Sequence, residues 1–185
     1  MERVYRLIES YAPKCEQEAA DRRQMLAFMA ANTGWLTREN AVAHVTASAW
    51  VVDHARQKAL MAFHNIYNSW SWTGGHADGD NDLLAVALRE AREETGIIAR
   101  PAAEVPLSIE SICVSNHIKR GTFVSSHIHM NVTYLLEADP DAPIRMKPDE
   151  NKGVMWLDFS EIDSRVTEAE MRPIYAKLIA RAAIR

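Results

Sequence analysis

The sequence predicts an α+β fold: a mixed β-sheet held between helices, preceded by a helical extension. Helix-spaced apolar residues fill the N-terminal stretch and return at the C-terminal end. Between them lie short runs rich in β-branched residues, separated by polar or glycine-containing turns. Strands and helices alternate irregularly, which favours a mixed sheet over a regular parallel βαβ array. The boundaries expected are a helical extension over residues 1–42 and a second unit over 43–185.

Val4, Leu7, Ile8 and Tyr11 follow helical spacing, Pro13 interrupts, and Met25, Leu26, Phe28 and Met29 begin a second helical pattern that ends near Gly34. A short helix is expected at Thr37 to Ala41, capped by Thr37. This extension reads as a helical hairpin that covers the core or meets a second copy of the chain, so a homodimer is one expected partner state. A substrate-contacting lid is the other use for it.

Val45 to Val52 reads as a strand and Lys58 to His64 as its hairpin partner. Ser108 to Val114 is a strand, and Asn116 to Ser126 a polar loop. His127 to Leu136 alternates: Ile128, Met130, Val132, Tyr134 and Leu136 share one face, while His127, His129, Asn131 and Thr133 share the other. Gly153 to Asp158 is a further strand, and Thr167 to about Ala183 a closing amphipathic helix.

Composition narrows the function. The 185 residues suffice for one domain with a sizeable core, and a net charge of −4 without a basic run argues against coating nucleic acid. Cys15 and Cys113 form no C-x-x-C pair, so neither a thiolate zinc site nor a disulfide framework is expected. No apolar stretch is long enough to span a bilayer, and a cytoplasmic protein is the expectation.

One stretch carries chemistry. Gly74 to Ile97 reads GGHADGDNDLLAVALREAREETGI, a glycine-rich turn leading into a helix. At about 100° per residue, Glu90, Glu93 and Glu94 fall on one helical face, continuous with Leu83, Val86 and Ala87. The stripe begins apolar, as a core-facing stripe should, and then turns acidic. At about 6 Å and an effective dielectric near 20, each carboxylate pair costs on the order of 3 kcal/mol. Arg89 and Arg92 are expected to point away from that face. A divalent cation offsets the repulsion directly, and oxygen-only ligands favour Mg²⁺ or Mn²⁺ over zinc. Gly74 and Gly75 free the backbone to approach a ligand and offer a carbonyl to it.

This stretch resembles the Nudix box, whose pattern is G-x5-E-x7-R-E-U-x-E-E-x-G-U with U apolar. Gly75, Arg89, Glu90, Ala91, Glu93, Glu94, Gly96 and Ile97 match it in register. The strand before the box and the GVMWLD strand after it also resemble Nudix proteins, and the likeness covers roughly residues 43 to 163. One position departs: the first glutamate of the pattern is Asn81, flanked by Asp80 and Asp82 out of register. Asn81 is suited to capping the helix.

The resemblance implies an α/β/α sandwich and a hydrolase that cleaves a diphosphate linkage in a nucleoside diphosphate derivative, a small molecule, with Mg²⁺ or Mn²⁺. It implies Glu93 and Glu94 as principal metal ligands, helped by the Gly74 carbonyl. Glu90 would be a ligand or the base that activates water, and Arg89 would orient Glu90. Family members often add a carboxylate from beyond the box, for which Glu150 is the candidate. His127 and His129 are candidates for substrate phosphate or a second metal, Trp72 for stacking a base, and Lys119 for a phosphate. Cys113, within an apolar strand, is expected in the core.

Two other readings stay open. An isopentenyl-diphosphate-isomerase-like enzyme would need a cysteine near the start of the box, and Trp72-Thr73-Gly74-Gly75 has none. A ligand-sensing Nudix domain without turnover is kept open by Asn81.

Overall fold

The computed structural model describes residues 1–119 and 121–183, with the backbone alone of Lys119. Its elements in chain order are α1 (Glu2–Ser10), α2 (Glu16–Ala31), β1 (Ala43–Val52), β2 (Lys58–His64), β3 (Ser69–Ser71), β4 (Thr73–His76) and α3 (Leu83–Thr95). There follow β5 (Arg100–Pro101), β6 (Ser108–Val114), β7 (His117–Lys119), β8 (Thr122–Val124), β9 (His127–Glu137), β10 (Asn151–Asp158), α4 (Phe159–Arg165) and α5 (Arg172–Ala182). The architecture is α+β, a mixed curled sheet with helices on both faces. Among the described residues, no helix is long and apolar enough to cross a membrane.

β1 is the spine, with all ten residues buried. Its alternation feeds two cores. Ala43, Val45, Ala47, Ala49 and Val51 join the core that also holds Val4, Ile8 and Met25 of the first two helices and Leu83, Val86 and Ala87 of α3. Trp50 and Val52 join the opposite core, with Tyr175 and Leu178 of α5. The same face of β1 then continues as Ser48, Thr46 and His44, polar and buried. That change along one strand face is what makes a site there.

The sheet runs β10-β2-β1-β9-β5, with β3 on β2, β4 on β1 and β6 on β9. β1 and β9 are parallel, pairing His44 with His129, Thr46 with Asn131 and Ser48 with Thr133. The expected β1–β2 hairpin pairs at Val52 with Ala59, while β4 pairs with Thr46 to Ala49 of β1. The sheet therefore splits between β2 and β4.

Several sequence expectations need correction. Gly74 and Gly75 lie in strand β4 rather than a turn, because Gly74 opposes Ser48 so closely that an added Cβ would sit 2.6 Å from its Oγ. The turn comes later, at Asp78 and Gly79, both with positive φ. Residues 37–41 form turns, not a helix: Thr37 N–H and its hydroxyl both bond back to the Gly34 carbonyl. The 116–126 loop holds the β7–β8 hairpin, turned by Gly121 at φ +80°. The closing helix is shorter than expected, α5 starting at Arg172 rather than Thr167, and an unexpected helix α4, capped by an Asp158–Glu161 box, precedes it. Cys113 is exposed, at the far end of β6.

α2 docks along β6, where Gln17 donates to the Ile109 carbonyl at 3.2 Å and Ser111 N–H donates to Asp21 at 3.0 Å. Beside it Glu18, fully buried, bonds Arg181, Lys177 and Ser108.

Candidate active site

The α3 helix begins at Asp82, whose side chain accepts the Ala85 N–H at 3.1 Å, and ends at Gly96, left-handed at φ +74°. Asp82, not Asn81, is the cap; Asn81 is exposed in the preceding turn. Between those caps the acidic stripe meets β4. Glu94 is 5% exposed, and its carboxylate accepts the Gly74 N–H at 2.8 Å. Asn151 of β10 donates to the Glu94 carbonyl at 3.0 Å and fixes the helix end from the other side. Glu90 lies against Gly75 so tightly that a Cβ there would come within 2.5 Å of its carboxyl carbon. Glycine at 75 is thus required by the carboxylate above it.

The charges around the stripe are unbalanced. Burial pushes the Glu94 carboxyl up to about 8; the Gly74 hydrogen bond opposes this, while Glu150 and Glu90 add to it. Glu90 is raised too, first by burial and then by Glu93, with Arg89 opposing. Arg89 does not point away as helical geometry suggests: its guanidinium spans Glu90 and Asp80, at 3.5 Å from each. Asp80 therefore places a carboxylate against Arg89 from the turn where Asn81 stands. Lys147 lies 3.6 Å from Glu93 and 3.0 Å from Glu150, and so draws Glu150 to the stripe.

A cleft of about 1030 Å³ opens at the split in the sheet and takes in the box carboxylates, Lys147 and Glu150. Its floor is the polar face of β1 and β9. Asn131 accepts from Thr46 and Ser48 and donates to Glu110 and Thr133, so its amide is fully used in holding that floor. His127 and His129 stand beyond it, with their Nε2 atoms 3.1 Å apart. Trp72 forms part of a wall, its ring edge-on to Tyr175 at 5.4 Å and its backbone N–H donating to the Tyr175 hydroxyl at 3.4 Å. Cys113 also opens on the cleft. The Lys119 side chain and Arg120 lie outside the described residues.

Residues 42–182 match the family model of the NUDIX domain. The chain belongs to the Nudix family. A curated Nudix-type relative, the m7GpppN-mRNA hydrolase NUDT17 of Xenopus laevis, is 33% identical over 121 residues, 62% of this chain. The chain spans 38% of that relative's length. Among solved structures, a NUDIX-family hydrolase from Clostridium perfringens superposes with a TM-score of 0.57 at 16% identity, covering 75% of this chain and 95% of its own. That likeness is one of fold.

Two residues of the Nudix cleft, Lys147 and His44, escaped the sequence reading, whereas His76, directly after Gly75, is close to the expected metal by sequence alone. Lys147 reaches the stripe from the segment before β10, and its i,i+3 spacing to Glu150 was the available signal. His44 and His76 line the cleft beside His127 and His129. The alternation His44, Thr46, Ser48 marks a polar strand face, but its pairing with the His129 strand is a tertiary fact.

Proposed function

We propose that this Nudix chain is a divalent-cation-dependent pyrophosphohydrolase, cleaving a nucleoside diphosphate linked to a second moiety. The observation that carries the reading is Glu94: a buried carboxylate, held by one backbone N–H and pressed by Glu90 and Glu150. Such a group wants a cation. The oxygen-only donor set, and the cradle that a Cβ at Gly75 would fill, fit Mg²⁺ or Mn²⁺. Glu90, Glu93, Glu94 and the Gly74 carbonyl would hold it. Held there, such a cation would offset diphosphate charge and help activate water.

The chain's own groups do the rest. Arg89 fixes the Glu90 carboxylate, which accepts the proton of the attacking water. Lys147 turns from Glu93 and Glu150 to the diphosphate, and Glu150, released, is a second acid–base group. Trp72, His127, His129 and Lys119 are the proposed substrate contacts. The curated relative acts on capped mRNA, so a 5′–5′ linked cap nucleotide belongs among the substrates tried.

The test is chromatographic detection of the nucleoside monophosphate and the phosphorylated partner formed from nucleotide sugars, dinucleoside polyphosphates and cap analogues, with Mg²⁺ or Mn²⁺, by wild type and Glu94→Gln. Equal activity in both sinks the box as the catalytic centre. Asn81 favours a second reading, a sensor domain; tight ligand binding by calorimetry without turnover would select it. Conversion of isopentenyl diphosphate would revive isomerase chemistry despite the missing thiol.

A further inference from the structure

We propose that His44, His127 and His129 form a nitrogen-donor site for a transition metal of the zinc class, on the sheet face beside the box carboxylates. Two strands deliver the donors and a third brings a neighbouring histidine. The parallel β1–β9 register sets His44 beside His129, and the β1–β4 register brings His76 next to them, opposite Thr46. Ligand nitrogens of His44, His127 and His129 all lie within 4.8 Å of one another. The His76 ring stands 5.0 Å from that of His44 and 4.9 Å from that of His129, and lines the same cleft.

The tautomers suit a metal. His44 Nδ1 lies 3.0 Å from the Asn40 carbonyl, and His127 Nδ1 lies 2.8 Å from the Ser125 carbonyl. A carbonyl only accepts, so each Nδ1 carries the hydrogen. In the neutral rings each Nε2 then presents a lone pair. Backbone carbonyls orient metal-binding imidazoles in this way. The His44 ring is 4% exposed, and among the described residues its Nε2 has no hydrogen-bond partner. A buried acceptor left unsatisfied is costly, and a metal at this point satisfies it.

The distances are close to those required. Zinc–nitrogen bonds of about 2.0–2.1 Å in a tetrahedron separate two ligand nitrogens by roughly 3.3 Å. His127 and His129 already stand at 3.1 Å. With all three ligand nitrogens within 4.8 Å of one another, His44 closes the triangle by moving inward at most about 1.5 Å. Three imidazoles without a carboxylate select zinc-class ions over Mg²⁺. The fourth position faces the cleft and is open to His76, to water or to a phosphate oxygen. The donors are separate from the box carboxylates Glu90, Glu93 and Glu94, and His127 and His129, when they hold the metal, meet a substrate phosphate through it rather than directly.

The experiment titrates Zn²⁺ into the chelator-treated full chain, with excess Mg²⁺ present, by competition against a chromophoric chelator. Co²⁺ is substituted in parallel to read its ligand-field absorption. One Zn²⁺ per chain is expected, weakened at least about 100-fold in both His44→Ala and His129→Asn. Glu94→Gln and His54→Ala remove no proposed donor and are expected to leave the affinity within a factor of about two. Circular dichroism verifies folding, and if His44→Ala does not fold, the half-buried His129→Asn decides alone. Absence of Zn²⁺ binding at micromolar concentration overturns the site. So does binding indifferent to His129→Asn, or binding lost in Glu94→Gln but kept in the histidine variants.

Discussion

Glu18 and Glu94 are both buried carboxylates, and the fold treats them in opposite ways. Glu18, at the junction of α2 and α5, bonds Arg181, accepts from Ser108 at 2.8 Å and from the Lys14 N–H at 2.8 Å, and lies 3.4 Å from Lys177. Burial pushes its carboxyl up, but Arg181, the Lys14 N–H, Ser108 and Lys177 together outweigh burial and leave it at about 2. Glu94 has the burial and, in place of such partners, Glu150 and Glu90 as neighbours, and stands at about 8. Burial alone does not decide a carboxylate's state; its partners do. A fully paired cluster holds the protein together, whereas an underpaired one is ready to receive charge.

The strongest way to break this comparison is Glu94→Gln. Hydrolysis is expected to fall by about 10²–10³-fold, the order seen when one preorganised electrostatic group is removed. Stability should move the other way. A carboxyl raised from 4.5 to about 8 makes the metal-free fold lose stability as pH rises through that window, since the unfolded chain releases the proton first. Glu94→Gln abolishes that loss, so its melting temperature at pH 8 in chelator should equal or exceed wild type. A large drop there would mean that Glu94 is structural, like Glu18.

Glu18→Gln is the converse, with an expected loss of roughly 3 kcal/mol, the cost of stranding a buried cation. Urea unfolding measures it. Because the Glu18 carboxyl is depressed, its contribution is complete above pH about 4.5 and fades as pH falls toward 2, and the two proteins should converge there. We propose that residues 1–42, an extension of the Nudix domain in sequence, are inseparable from it energetically. Val4, Ile8, Met25 and Met29 share one core with β1 and α3. A truncation starting at residue 43 that melts like wild type would overturn this.

Gly75→Ala sharpens the comparison on the catalytic side alone. Its Cβ would meet the Glu90 carboxyl carbon at 2.5 Å, so Glu90 must leave its seat. Activity should drop about 10²-fold, as a displacement near 1 Å can cause, while urea unfolding stays near wild type.

How far the sequence foretold these sites follows from how local each one is. The acidic stripe was legible because three glutamates, their apolar prelude and Gly96 lie on one helix, and helical spacing is a local rule. The polar face of β9 was legible for the same reason, through its period of two. Neither Glu18 with Arg181 nor His44 with His129 was legible, because each pair joins elements distant in sequence. Gly74 and Gly75 were read as a turn because glycine signals freedom; here it signals close approach, to Ser48 and to Glu90.

The smallest expected effect settles what Asn81 means for the underpaired cluster. Asn81 replaces a glutamate of the box pattern, and its neighbour Asp80 meets Arg89, which in turn meets Glu90. If that chain of contacts stands in for the missing acid, Asp80→Asn should raise the Mg²⁺ concentration needed for half-maximal activity by about 10-fold, the lower range for an outer partner of a metal ligand. Asn81→Glu should then change it little. If nothing stands in, Asn81→Glu should lower the Mg²⁺ requirement by about 10-fold and Asp80→Asn should do little. Stability should stay within about 0.5 kcal/mol for Asn81→Glu, because residue 81 is exposed and Asp82 caps the helix. Asp80 accepts a turn hydrogen bond from the Asp82 N–H at 2.9 Å, so the Asp80→Asn result is read against its own melting curve. Which of the two variants shifts the Mg²⁺ requirement identifies whether Asp80 serves the box or nothing does.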